Sequence, residues 1–409
     1  MASPRTLAQI STMAELLDPD IAQQLLNTYG SPLYVYDGDR LCKTLAHIIQ
    51  AIAYPHTRFH FASVTNGNIA LLQIIRSLGW GLHANTPGDI YLGLKAGFHP
   101  SQIIYSGSNL NFAEMQQLRE WKIATLNLDS LSQLELCCQV YQGANPSLGL
   151  RLNLPELTGE SRIGVQPEEF SAAIAITQSF GLKLTGLHFY RGTGTNATQA
   201  FTQVIDRLLT LAQQLPDWSY LDFGGGFGYP YRQGAAFNWQ QFGTELTQAL
   251  ERLDRSIELI IEPGRAAIAG CAMLLTQVVS VKWQPRDRQI VGTDTTVANL
   301  SVPSVHGGYR EIASLTDSET LYLTDVCGNT TYSRDYLGRS CQLPKLAIGD
   351  ILAILDVGAY GYAMSSHFLH RPRPAEVLFE QNQPRLIRDR ETYQVLLANQ
   401  VFEQPSSYL

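Results

Sequence analysis

Residues 221–231 read LDFGGGFGYPY, an apolar run that ends in a cluster of glycines. A second apolar run, at residues 257–262, leads into the sequence EPGR at 262–265. Apolar, β-branched runs that alternate with amphipathic segments are typical of βα units around a parallel sheet. The two stretches therefore predict two successive strands whose carboxyl ends carry a glycine loop and a charged loop.

Six further runs of the same kind precede these two. Between the runs lie segments such as NIALLQIIRSLG and LSQLELCCQVY, in which apolar residues recur at intervals of three and four, as in a helix. Eight βα repeats over roughly 230 residues predict a (β/α)8 TIM barrel, an α/β fold, over residues 37–270. The predicted strands are 58–64, 81–84, 103–107, 124–130, 147–153, 183–190, 219–224 and 257–262.

The pattern changes after about residue 270. Short strand-like runs such as AMLLTQVVSVKW and DILAILDVG follow one another without a long helix, which predicts an all-β domain over residues 271–409. The N-terminal segment, residues 1–36, includes most of the run SPLYVYD, which we expect to add a strand to this β domain.

Composition narrows the class of protein. The chain has 409 residues, 45% of them hydrophobic and 16% charged, with a net charge of -7, which predicts a folded protein without a nucleic-acid partner. No apolar run has the length of a membrane helix, so we expect a cytoplasmic protein with no membrane partner. The six cysteines show no metal-binding spacing, and we expect no metal.

The glycine cluster and the EPGR loop predict an anion site. In TIM barrels a phosphate group is often held by the loops after strands seven and eight. The glycines of residues 224–228 let backbone N–H groups approach an anion, and Arg265 can bind a phosphate through two hydrogen bonds. The plainer alternative is a tight turn beside an arginine that pairs with a neighbouring carboxylate. Two features at one barrel mouth favour the phosphate site.

The chain resembles the fold type III pyridoxal-phosphate (PLP) decarboxylases, the ornithine/diaminopimelate/arginine decarboxylase family, and most of all the diaminopimelate branch. The resemblance implies an alanine racemase-like barrel with a C-terminal β domain. It also implies a head-to-tail homodimer in which each site borrows residues from its partner. The motifs that carry it, in the family's order, are PLYVYD, LDFGGGFGYPY, IEPGR, LPKLAIGD, DVGAYGYAMSSHFLHRPRPAEV and RDRETYQVLL.

The resemblance assigns roles to individual residues. It implies that Glu262 faces the pyridine nitrogen of the cofactor, and that Arg265, Tyr332 and Tyr360 contact the substrate. The residues that it implies bind the cofactor are Gly224, Gly225, Gly226, Glu262, Arg265, Tyr360 and Thr193.

At one position the sequence departs from the family pattern and lacks the lysine that forms the Schiff base. The family's first barrel strand ends in Tyr-Ala-Val-Lys-Ala-Asn, whose lysine forms the Schiff base, whereas residues 61–66 here read FASVTN. Val64 stands at the lysine position and has no nucleophile, and Lys95 falls in a helical pattern further on. The usual covalent anchoring of PLP is therefore excluded.

Other departures affect the groups that move protons or select the substrate. Tyr190 stands where the family has a histidine that stacks on the cofactor, and Thr331 replaces the family's proton-donating cysteine. His83 replaces an acidic residue, and Val302 and His306 replace the arginine and tyrosine that read diaminopimelate. The plainer alternative is that Val64 and Val302 fill the core and that His306 is an ordinary histidine.

Two hypotheses from different classes follow, with a third behind them. The first is a repurposed enzyme in which His83, Tyr190, Arg191 and His306 form a polar cluster that acts on an amino-acid-derived or phosphate-bearing small molecule. PLP then binds only non-covalently or as the substrate aldimine, or does not bind. The second hypothesis is a pseudoenzyme, a binding or regulatory subunit that pairs with itself or with an active relative. The third is an ordinary PLP-dependent amino-acid decarboxylase.

Overall fold

The computed structural model describes residues 18–192, 194–232, 234–316, 318–381 and 383–401. The chain divides into two compact units. One unit contains residues 38–271 and 358–363, and the other contains the described residues up to Asp37, then 272–357, and those from Met364 onward.

The first unit is a closed parallel barrel, which confirms the predicted (β/α)8 fold. Each strand pairs with the next along the chain, and the first pairs with the last through Thr57 and Leu259. The described barrel strands are β2 (Thr57–Ala62), β3 (Gly81–Ala84), β4 (Ile103–Tyr105), β5 (Thr125–Leu128), β6 (Ser147–Arg151), β7 (Leu184–His188), β8 (Tyr220–Asp222) and β9 (Glu258–Ile261).

Helices connect the strands, and local sequence signals begin several of them. Thr86 and Asp89 form a reciprocal capping box at the start of one helix, and Asn111 and Glu114 form another. The helices of this unit are α2 (Gly38–Ala51), α3 (Ile69–Ser77), α4 (Pro87–Lys95), α5 (Phe112–Glu120), α6 (Leu131–Tyr141), α7 (Pro155–Thr158), α8 (Phe170–Ser179), α9 (Gln199–Thr202), α10 (Ile205–Ala212), α11 (Trp239–Glu251) and α12 (Arg265–Ile268).

The barrel interior combines apolar packing with one large tyrosine. Tyr220 packs in a buried cluster with Ile104 and Ile260. A Cβ at Gly186 would lie 1.9 Å from Cζ of the Tyr220 ring, and one at Gly149 would lie 2.4 Å from its hydroxyl. Glycine at these two strand positions is therefore what allows the tyrosine to cross the interior.

The second unit is built on a mixed sheet of nine described strands. Strand β1 (Leu33–Asp37), in the SPLYVYD run, pairs antiparallel with β10 (Ala272–Gln284) and parallel with β16 (Ala375–Glu380). The other strands are β11 (Arg288–Thr293), β12 (Ile312–Ser314), β13 (Leu321–Cys327), β14 (Tyr336–Pro344), β15 (Ile351–Ile354) and β17 (Gln383–Arg388), and the helices are α1 (Pro19–Tyr29) and α13 (Val302–Val305).

The core of the second unit forms between this sheet and α1. Leu25 and Leu26 of the helix pack against Val35, Met273 and other buried residues of the central strands. None of the helices in the described parts of the chain combines the length and the apolar character that a membrane crossing requires.

Candidate active site in the barrel

A cavity of about 230 Å³ opens within the barrel unit. Its walls come from the loops that follow the barrel strands, which is where TIM barrels place their chemistry. The cavity is lined by Ala62, Val64, Thr65, His83, Asn85, Arg151, His188, Tyr190, Gly194, Gly225, Gly226, Phe227, Glu262, Gly264, Arg265 and Tyr360.

Val64 lies on the cavity wall rather than in the core. Strand β2 ends at Ala62, and Ser63–Thr65 form a single 3₁₀ turn that is fixed by a hydrogen bond from Ser63 Oγ to the His83 carbonyl (3.0 Å). Val64 is 43% exposed. The core-filling alternative for Val64 is therefore wrong, and the described residues that line the cavity include no lysine.

The glycine loop, residues 224–226, contributes backbone without side chains to one end of the cavity. Gly224 and Gly226 have φ values of +67° and +95°, and a Cβ at Gly226 would lie 2.5 Å from the Gly192 carbonyl oxygen. A Cβ at Gly225 would lie 2.7 Å from the Glu262 carbonyl oxygen. Only glycine satisfies this geometry. Gly225 and Gly226 reach the cavity, and Gly224 supports the turn behind them.

Arg265 lies at the same end of the cavity, at the start of α12. Its guanidinium carbon is 4.8 Å from the ring centroid of Tyr360, and Nη1 donates a hydrogen bond to the Tyr231 hydroxyl (3.1 Å). No carboxylate of the described residues lies within 4.0 Å of the guanidinium. A cation without a described carboxylate partner, in the same cavity as the bare backbone of Gly225 and Gly226, has the chemistry that suits a phosphate.

Glu262 and two histidines form the floor of the cavity. Glu262 Oε2 is 3.3 Å from His188 Nε2 and 3.6 Å from His83 Nε2. Burial raises the pKa of Glu262 to about 7, lowers the pKa of His188 to about 4 and lowers that of His83 well below 6.5. Both imidazoles are therefore neutral near pH 7, and Glu262 keeps a proton part of the time.

Some polar atoms of the floor have no protein partner. Glu262 Oε1 and both ring nitrogens of His83 are buried, and among the described residues none makes a hydrogen bond to them. Buried polar atoms are nearly always hydrogen-bonded in native proteins. These atoms are therefore available to a polar ligand.

Asp222 links this floor to the barrel interior. Its Oδ1 accepts a hydrogen bond from the Gly224 amide (3.0 Å) and its Oδ2 accepts one from Asn127 (2.8 Å), whose Oδ1 accepts from the Tyr220 hydroxyl (2.8 Å). Burial and the adjacent Glu262 carboxyl raise the pKa of Asp222 well above its usual value. Because each carboxyl raises the cost of ionising the other, the two do not titrate independently.

The same floor contains a possible ligand set for a cation. His188, Asp222 and Glu262 place one ligand atom each within 4.8 Å of the others. Both Asp222 oxygens already accept hydrogen bonds, and Arg151 adds positive charge near Glu262. Because the Asp222 oxygens already have hydrogen-bond donors, we assign no metal to this cluster.

The family model of the pyridoxal-dependent decarboxylases, pyridoxal binding domain, matches residues 42–269. The chain belongs to this family. Its diaminopimelate decarboxylase relatives include that of Methanothermobacter thermautotrophicus, 31% identical over 93% of this chain and 94% of the relative, and that of Haemophilus influenzae, 30% identical over 92% and 94%.

The solved structures of the decarboxylase family agree with the observed architecture. The diaminopimelate decarboxylase of Helicobacter pylori, solved as an I148L mutant with L-lysine, matches with a TM-score of 0.85 and 26% identity. The match covers 92% of this chain and 98% of that structure. A barrel with a C-terminal β domain, the fold that the sequence predicts, is therefore confirmed.

The cavity residues suit two groups of PLP, the cofactor of the family: its phosphate and its ring nitrogen. The loop of Gly225 and Gly226, with Arg265, suits the phosphate of PLP, and the unpartnered Glu262 Oε1 suits a protonated ring nitrogen. Val64 is part of the cavity lining, and none of the described lining residues is a lysine that could carry PLP covalently. The loss of the anchoring lysine stays a prediction from the sequence of this decarboxylase-family chain.

The four residues of the predicted polar cluster belong to two different units of the chain. His83 and Tyr190 line it. Arg191 does not, because its guanidinium donates hydrogen bonds to the carbonyls of Leu157 (2.6 Å) and Ala200 (3.0 Å). His306 is exposed at the end of α13, in the unit with the mixed sheet. The prediction is therefore wrong for Arg191, whereas the place of His306 relative to the cavity stays a prediction.

The remaining predicted residues belong to the other unit or are not described. Thr331 and Tyr332 belong to the unit with the mixed sheet, and the Tyr332 ring contacts that of Phe368 at 5.6 Å. Val302 is buried, in keeping with the core-filling alternative. The prediction for Thr193 falls outside the described residues.

Three residues of the site were missed in the sequence. Arg151, His188 and Asp222 are the last residues of β6, β7 and β8. A usable signal was present, because polar residues at the carboxyl ends of barrel strands face the site. Each lies inside a predicted strand, and its residue type alone does not show that its side chain belongs to the site.

The raised pKa of Glu262 predicts a pH-dependent stability. Because the folded-state pKa (about 7) exceeds the ordinary value of 4.5, this contribution is complete below about pH 4.5 and is lost as the pH rises through about 7. The loss is on the order of 3 to 4 kcal/mol, at about 1.4 kcal/mol per unit of pKa shift. We expect Glu262→Gln to remove this loss, measured as the thermal midpoint between about pH 5 and about pH 8.

A matched substitution at an exposed glutamate provides the control for this measurement. Glu251, at the end of α11, is exposed, and Glu251→Gln should retain the pH dependence of the unchanged protein. If Glu262→Gln and Glu251→Gln follow the same curve, the Glu262 carboxyl does not carry this pH dependence.

Proposed function

We propose that this chain is a repurposed member of the decarboxylase family. It binds an amino-acid-derived, phosphate-bearing small molecule without a covalent bond and acts on it by chemistry that needs no Schiff-base lysine. The supporting observation is the cavity wall itself. Val64, which the sequence resemblance places at the position of the family's lysine, lines the same cavity as Gly225, Gly226 and Arg265, the residues that we propose bind the phosphate.

The residues at the two ends of the cavity perform separate tasks. The bare backbone of Gly225 and Gly226, with the Arg265 guanidinium, binds the phosphate and fixes the orientation of the ligand. Glu262 holds a ring nitrogen or another hydrogen-bonding group of the ligand through Oε1. If PLP is that ligand, it supplies an electron sink, and no residue of the described cavity lining supplies the covalent anchor.

In such an enzyme His83 and Tyr190, which both line the cavity, would transfer protons to and from the ligand. Neutral His83 has two unpartnered nitrogens, one to donate and one to accept a hydrogen bond, and Tyr190 offers a hydroxyl. A bound anionic group near His83 would raise its pKa toward the neutral range, because an opposite charge favours the imidazolium. The bound ligand would thereby make His83 able to gain and lose a proton near neutral pH.

The pKa values favour a second candidate function, a pseudoenzyme that binds without catalysis. The pKa of His83 lies well below 6.5 and that of His188 is about 4, so neither is tuned as a base at neutral pH. Such a chain would act as a binding or regulatory subunit, alone or paired with an active relative. An ordinary diaminopimelate decarboxylase, as the relatives are named, is the third candidate, and Val64 argues against it.

Absorbance spectroscopy of the purified protein tests the proposal. We expect PLP addition to give a cofactor band that borohydride does not fix to the chain, and one amino acid of a panel to shift that band. Mass spectrometry of co-purifying compounds identifies another phosphorylated ligand if PLP is not bound. Light scattering on the same sample tests the proposed homodimer, expected at twice the monomer mass. Absence of any phosphorylated ligand would contradict the proposal.

A further inference from the structure

Arg151, at the end of β6, is a charged residue of the cavity whose guanidinium has no acceptor among the described residues. Its guanidinium carbon lies 5.1 Å from the ring centroid of Tyr190, and the residue lines the cavity. No described carboxylate comes within 4.0 Å of it, although Glu262 is near enough to influence its charge. Burial disfavours its charged form and lowers its pKa.

This arrangement leaves most of the arginine's donors unused. A guanidinium has five N–H donors in a planar fork that matches a carboxylate. Contact with the Tyr190 ring favours the cation but accepts none of the in-plane hydrogen bonds. The side chain is half-buried, so these donors face the space of the cavity and are left to water. A ligand carboxylate that replaces this water would accept two hydrogen bonds from the planar fork.

Arg151 is separate from the arginine at the glycine loop. Arg265 contacts Tyr360, Tyr231 and the backbone at Gly194. Tyr190 is adjacent to Gly225, since a Cβ at Gly225 would lie 4.0 Å from Cε2 of its ring. The Tyr190 ring thus has the glycine loop beside it and the Arg151 guanidinium over it. The cavity therefore offers two cations, and each has its own set of contacts.

We propose that Arg151 binds a carboxylate of the ligand, so that the ligand carries a phosphate monoester and a carboxylate in one small molecule. The phosphate half of this inference rests on the proposed function, and the carboxylate half rests on Arg151 alone. A phosphorylated amino acid, or a conjugate of an amino acid with a phosphorylated carrier, is the chemical class that has both groups.

Two commercial ligands that differ only by a carboxylate test this inference. O-phospho-L-serine has the carboxylate and O-phosphoethanolamine lacks it, so their affinities for the full-length protein are compared by calorimetry. We expect phosphoserine to bind roughly ten-fold tighter or more, as for a hydrogen-bonded charge pair. Arg151→Gln should reduce this ratio to about one and leave phosphoethanolamine binding within about two-fold, because only the carboxylate contact is lost.

The controls separate a failure of this inference from a failure of the proposed function. Arg207→Gln, at an exposed position of α10, should leave both affinities unchanged. Equal affinities of the two ligands, or equal weakening of both by Arg151→Gln, would overturn the carboxylate assignment while phosphate binding stands. If neither ligand binds the unchanged protein and inorganic phosphate does not bind either, the proposed function fails and this inference fails with it.

Discussion

Substitution of Val64 by lysine is expected to give the chain a PLP adduct that borohydride traps, at roughly one PLP per chain, where the unchanged protein gives none. Val64 is 43% exposed and lines the cavity, so a lysine side chain can extend from the same 3₁₀ turn without entering the core. The nearby guanidinium groups lower the pKa of such an amine and leave more of it as a nucleophile. Mass spectrometry of the reduced peptide locates the adduct.

Val64→Met is the matched control for this experiment. Methionine has a similar unbranched length and lacks the amine, so any increase in trapped PLP with Val64→Met reports non-specific labelling at other lysines. A folded Val64→Lys protein that traps no PLP would contradict the fit of the cavity to a pyridoxal phosphate. The thermal midpoints of both variants show whether the proteins are folded.

The barrel and its glycine loop could be predicted because their signals are local in the sequence. Each strand was marked by its own apolar run, and each observed barrel strand lies within or next to a predicted one. Gly224 and Gly226 were recognisable because their positive φ values require glycine. At these positions the residue type itself indicates the backbone geometry. Arg265 followed from its place just after strand β9.

The charged and polar side chains of the cavity could not be predicted to the same degree, because their place depends on the direction of each side chain. Arg191 has the same charge as Arg151, but its donors are satisfied by two backbone carbonyls, whereas Arg151 faces the cavity. Val64 is exposed to the cavity and Val302 is buried, although both are valines at family positions with polar residues. Residue type does not distinguish these cases, since only tertiary packing sets the direction of each side chain.

Replacement of Arg265 by alanine is expected to weaken the binding of any phosphate-bearing ligand by about 1.5 to 3 kcal/mol, roughly a 10- to 150-fold rise in Kd. The guanidinium has no described carboxylate partner, so its donors are free for the phosphate apart from the one bonded to Tyr231. Loss of the side chain leaves the glycine loop in place, because Gly225 and Gly226 are held by contacts of the backbone. Calorimetry with PLP and with inorganic phosphate measures the effect.

The conservative variant shows whether charge or geometry matters at this position. Arg265→Lys keeps a positive charge but loses the planar fork, so we expect it to recover part of the affinity that alanine loses. A protein in which alanine, lysine and arginine at this position give the same Kd does not bind its phosphate here. Because Arg151 then remains as the other cavity cation without a described partner, the same titration with Arg151→Gln would show whether the phosphate binds at that end instead.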